Sequence, residues 1–212
     1  MEDRHRPGRT RFLKWIIFAV ALGIVLVGWR VVFGRSSFDA DAVARAEAKM
    51  WRDYYAGNET QIGLNLIELL RRQYGLNLPD AKQIAELLAR SAMKFKAARG
   101  DYEAIVLPDL TEAYRHIRRA GKASFDPERA ARAELAWWVA RRTPGQNSPE
   151  QVGEKMTELY AVLYGSAQPS FHAAGLHRAQ AAALRDSGGT NADWPRIEEL
   201  LRESYREVGE GM

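Results

Sequence analysis

Asn58–Gly75 reads NETQIGLNLIELLRRQYG and sets the pattern for everything after Ser37. Ile62, Leu66, Ile67, Leu69, Leu70 and Tyr74 recur at three- and four-residue intervals, which gives a helix one apolar face for a core. Asn58 stands at the N-cap with Gln61 in the capping-box position, and Gly75 provides the stop.

The same grammar repeats on both sides. Upstream, a helix over Asp39–Ala56 starts from Asp39 or Asp41 and stops at Gly57. Downstream, Leu78-Pro79-Asp80 opens a third, with Ile84, Leu87, Leu88 and Phe95 as its stripe and Gly100 as its end. A fourth spans Asp101–Ala120, and Pro108 inside it predicts a kink or restart. Asp126-Pro127-Glu128 starts the fifth and Ser148-Pro149-Glu150-Gln151 the sixth, because proline and acidic residues suit a first helical turn. Pro169–Ser187, closed by Gly188-Gly189, is the seventh; Asp193-Trp194-Pro195 starts the last, which runs to about Val208. No segment alternates apolar and polar residues with β-branched enrichment. The expectation is an all-α fold, a single globular domain of about eight helices. A helical-repeat array is the alternative, although no repeating residue signature marks one.

Ahead of these helices stands Trp15–Trp29 (WIIFAVALGIVLVGW), which carries no charge. Extended to Phe12–Phe33 it suffices, at about 1.5 Å per residue, for a hydrocarbon core about 30 Å thick. Lys14 and Arg30 lie where long cations snorkel, and Trp15 and Trp29 where interfacial aromatics belong, so these four are the expected membrane-interface residues. Arg4, Arg6, Arg9, Arg11 and Lys14 precede the run and only Arg30 and Arg35 follow it, which keeps the N-terminus cytoplasmic. No small-x-small site closes the run, so an uncleaved anchor is expected rather than a signal peptide. The layout read from the sequence is a basic cytoplasmic tail over 1–11, a transmembrane signal-anchor helix over 12–34 and a periplasmic all-helical domain over 35–212. The chain is then a bacterial inner-membrane protein with the lipid bilayer as one partner.

The formal net charge of +4 belongs to this tail. Residues 1–35 hold seven Lys/Arg against two acids, and the remainder holds 24 against 25. A near-neutral folded part argues against nucleic acid as a partner. The chain has no cysteine, which excludes disulfides, thiolate metal sites and cysteine nucleophiles.

Few constellations could carry chemistry, and no cofactor is implied. Asp109, Glu112 and His116 share one face of the fourth helix at metal-ligand spacing, but that face lies opposite the apolar stripe of Val106, Leu110, Tyr114 and Ile117 and should be wet. No metal site is therefore expected. Glu134 precedes Trp137 and Trp138 by three and four residues, with Arg141 further along the same side. A carboxylate between indoles is partly desolvated, the setting that acid–base work requires; an ion pair at the rim of an aromatic core is the plainer reading. Trp137, Trp138 and Arg141 are candidates for a ligand or partner surface. On the seventh helix His172, Gly175, Leu176, Ala179, Ala183 and Asp186 form a small-residue side that suits close helix approach, and Asp186 at its end calls for an arginine partner. Glu134 and Asp186 are the weak catalytic candidates.

The sequence therefore points to a single-pass inner-membrane protein whose helical domain is an accessory or interaction scaffold of a larger membrane assembly, with protein partners. A module binding an apolar or aromatic ligand between helices is the alternative. An enzyme using Glu134 as acid or base is a third, weaker reading.

Overall fold

Eight α-helices and one 3₁₀ turn, without a strand, make up the described residues of this computed structural model, 38–212 apart from Ser166. In chain order they are α1 Ala40–Ala56, α2 Glu59–Tyr74, α3 Leu78–Ala97, α4 Tyr102–Gly121, α5 Pro127–Arg142, α6 Pro149–Tyr164, α7 Pro169–Gly188 and α8 Trp194–Gly211. The expected anchor, with Lys14, Trp15, Trp29 and Arg30, lies outside the described residues. None of the described helices is long and apolar enough to cross a membrane.

Most boundaries fall where the local chemistry places them. Asp39 caps α1 by accepting from the Ala42 N–H at 3.0 Å, and Gly57 and Gly75 end α1 and α2 in the left-handed region that glycine tolerates. Ser148 and Gln151 form a reciprocal capping box on α6. The expected box on α2 does not form: the Asn58 amide donates instead to Asp53 Oδ1 at 3.1 Å, and Asn65 donates to Asp53 Oδ2 at 2.6 Å. The Asp53 carboxylate is a charged acceptor on the neighbouring helix, which favours the tertiary bond over a local cap. Pro108 does not interrupt α4. It and Ala104, whose carbonyl loses its partner, both face solvent, so water replaces the missing bond. α3 ends at Ala97 rather than Gly100, where the Arg99 guanidinium donates to the carbonyls of Lys96, Ala97 and Ala98.

The helices form a closed ring. Each packs on its neighbours in sequence, and α1 packs on α8. Neighbouring helices run antiparallel, as paired contacts show: Arg90–Asp109 with Phe95–Tyr102 on α3–α4, Arg115–Glu128 with Arg132–Glu103 on α4–α5, and Asp41–Arg206 with Arg52–Trp194 on α1–α8. One end therefore gathers Phe38, which lies against Gly209, together with the C-termini of α2, α4, α6 and α8. The other end gathers the C-termini of α1, α3, α5 and α7. Apolar side chains from α2 through α8 fill the interior, including Leu110, Trp137, Met156 and Phe171, and a second cluster joins α1, α2, α7 and α8 around Ile197 and Leu201. This closed ring carries no open solenoid face.

Candidate functional site

The most polar part of the interior lies where α1, α7 and α8 meet. Glu47 is 1% exposed. It accepts from Arg178 Nη2 at 2.6 Å, from Arg178 Nε at 3.2 Å and from the Tyr205 hydroxyl at 2.6 Å. Burial pulls the Arg178 pKa down, but the charge of Glu47 outweighs it and holds the guanidinium well above its ordinary value. Arg178 also lies over the Trp137 ring, 5.5 Å from its centroid. Burial pushes the surrounding phenols up: Tyr205, Tyr160, Tyr74 and Tyr114 are all raised, and Tyr164 reaches about 12. All of these phenols are therefore neutral at pH 7. The sequence reading missed Glu47 and Arg178. The visible signal is an acid within the small-residue stripe of α1 (Val43, Ala44, Ala46, Ala48).

Glu134 sits near the rim of this interior. Its two carboxylate oxygens accept from Trp138 Nε1 and from the Tyr114 hydroxyl, each at 3.0 Å. The i,i+4 neighbour anticipated from spacing is thus a real partner. Trp137 is not: its ring turns toward Arg178, making a 6.1 Å edge contact with Trp138. Arg141 does not face Glu134 either. It reaches across the ring to Asp186 on α7, with Nε donating to Oδ2 at 2.8 Å and Nη2 to Oδ1 at 2.7 Å, and it donates to the Tyr55 hydroxyl of α1 at 3.1 Å. Asp186 thereby has the arginine partner its position called for. The pair is a surface clasp rather than a buried one, since its side chains are 26% and 46% exposed.

The small side of α7 packs on α6. A Cβ on Gly175 would collide with the Gly153 carbonyl and approach Thr157 Oγ1 to 2.6 Å. The metal-spaced trio is divided among other partners. Asp109 takes Arg90 at 2.9 Å and Lys94 at 2.7 Å; Glu112 faces His116 and Arg115, both at 3.2 Å. Burial raises the Asp109 pKa, but the hydrogen bonds and charges of Arg90 and Lys94 win and lower it. Asp109 and His116 are largely covered, not wet as the stripe suggested, because α3 cations and Arg119 fold over them. Among the described residues no group of three or more His, Asp or Glu is arranged to hold a metal ion.

Two open depressions follow the α4–α5 surface. One, about 420 Å³, is lined by Arg115, Arg118, Ser124, Phe125, Asp126, Pro127 and Glu128. The other adjoins it through Arg115 and Glu128. Neither includes Glu134, Trp137 or Trp138. No known protein family, curated protein or solved structure matches this chain.

Proposed function

We propose that this chain is a single-pass inner-membrane protein with its N-terminus in the cytoplasm. Residues 12–34 are its signal anchor, and residues 35–212 are a periplasmic helical scaffold that docks a protein partner of a larger membrane assembly. The observation that carries the reading is where exposed apolar side chains lie. Tyr54, Tyr55, Leu64, Met93 and Ile105 are exposed, with Leu64 at 55% and Met93 at 65%, and stand within about two turns of the end opposite Phe38, on α1 to α4; of the large apolar side chains exposed among the described residues, Met212, just past α8, lies at the Phe38 end instead. Apolar surface grouped at one end is what a partner covers. That end points away from the bilayer when Phe38 leads back to the anchor. The enzyme reading needs a cleft that holds Glu134, and neither depression on α4–α5 reaches it.

The test places a photo-crosslinking residue at Leu64 or Met93 in the full chain, with Glu154 on α6 as the control position. The expected result is one membrane-complex subunit captured from the first two positions and still associated after mild-detergent extraction. A chain that extracts as a monomer and crosslinks to nothing from any position overturns the reading.

A further inference from the structure

The tip of the α4–α5 hairpin concentrates positive charge. Arg115, Arg118, Arg119, Lys122 and Arg129 stand against only Asp126 and Glu128 within fifteen positions, and all five cations are exposed. Asp126 is engaged as the cap of α5, accepting from the Glu128 and Arg129 N–H groups, and Glu128 is held by Arg115 at 3.3 Å. Among the described residues Arg118, Lys122 and Arg129 have no acidic partner. Arg118 lines the 420 Å³ depression beside Ser124.

The position of this tip gives the charge its meaning. Gly121 lies against the Tyr74 carbonyl, so the tip occupies the same end of the ring as Phe38. Only Gly34–Ser37 separate the expected apolar span from Phe38, a reach of at most about 18 Å over the five steps from Phe33. Whichever end holds Phe38 must therefore face the headgroups closely. That end is electrically divided. On the α1–α8 side, where the tether enters, Asp41 is paired with Arg206, Glu207 meets His177 and Asp39 caps α1, whereas the cations without an acidic partner lie across the ring on α4–α5. Screening over about 8 Å at physiological salt restricts attraction to groups close to the surface. Guanidinium groups suit phosphate through paired hydrogen bonds, and clustered Lys/Arg beside a membrane segment attract anionic lipid.

We propose that the α4–α5 tip is a second membrane contact, docking on anionic phospholipid headgroups and fixing the ring upright on its tether. The proposal rests on the membrane anchor described above. It leaves the opposite end, with Leu64 and Met93, turned outward.

Because the chain has no cysteine, single labels are unambiguous. Full-length chain carrying a fluorophore at Ser124→Cys, or at Gly100→Cys on the far end, is reconstituted into nanodiscs with headgroup-quencher lipid. One set contains phosphatidylglycerol and phosphatidylcholine, the other phosphatidylcholine alone. The Ser124 label is expected to be quenched several-fold more in the anionic discs, and the excess is expected to vanish in 0.5 M salt (a screening length of about 4 Å) and in Arg118→Glu/Lys122→Glu. The Gly100 label should respond to neither lipid. Equal quenching of the Ser124 label in both lipids, or quenching unchanged by the charge reversals, overturns the proposal while leaving the anchor standing. A chain that fails to float with vesicles of either composition overturns both.

Discussion

Arg178 shows at the scale of one residue why a buried charge depends on its partner. Arg178→Met should lower stability by about 3–5 kcal/mol, because Glu47 is left charged in the interior with only the Tyr205 hydroxyl. Adding Glu47→Met should restore a large part of that loss, and urea denaturation of the two single variants and the double measures it. Glu134→Gln should cost less, about 1–2 kcal/mol, since two donors then face a group with one acceptor oxygen. The same denaturation followed by tryptophan emission reads both Trp138 and the unfolding, and unchanged stability would contradict the hydrogen bonds described. Glu134 with Trp138 could be read from spacing because residues four apart share a helix face. Glu47 with Arg178 could not, because the two lie 131 positions apart and only the ring brings them together.

At the scale of the helix, starts and stops are the most local features and the most legible. Asp39, Asp126, Ser148 and Asp193 each accept from N–H groups of the turn that follows, as their positions before an apolar run suggest. Asn58 departs from this because the Asp53 carboxylate, five residues back near the end of α1, takes its side chain instead. The small face of α7 was visible as a stripe, but its counterpart Gly153 was not, since one glycine among the larger residues of α6 announces nothing. Gly175→Ala should destabilise by about 1–3 kcal/mol, because the added carbon meets α6 backbone that cannot move without separating the helices. A lower Tm by scanning calorimetry checks it. Gly100→Ala, with open space around it, should leave Tm nearly unchanged by comparison.

The whole molecule is a ring closed by α1 on α8, and its interior explains its response to alkali. Tyr74, Tyr114, Tyr160, Tyr164 and Tyr205 are held above the ordinary phenol range by burial. Their folded pKa values exceed the unfolded value of about 10, so the stability they contribute is complete below that pH and is lost as pH rises through the folded values. Helical circular dichroism should therefore collapse together with the ionisation of these five phenols, read as the tyrosinate absorbance gained beyond that of the exposed Tyr54 and Tyr55. Ionisation of the five while helicity stays intact would contradict the burial. On the same ring the cations Arg118, Lys122 and Arg129, which have no acidic partner among the described residues, gather at the α4–α5 tip, whereas Asp41 on the α1–α8 side is paired with Arg206, a difference that net charge conceals.

The sequence alone determined the number of helices, nearly all of their ends and the apolar faces of α2, α3 and α4, because caps, stops and stripes depend on residues a few positions apart. It also placed the surplus positive charge ahead of Ser36. Only the tertiary structure decided that the helices close into a ring, that Arg141 reaches Asp186 rather than Glu134, and that Arg178 sits buried on Glu47. Those outcomes turn on which helix lies across from which, and the free energy that selects among such packings comes from burial and charge pairing over long sequence separations. No local pattern in the chain records that choice.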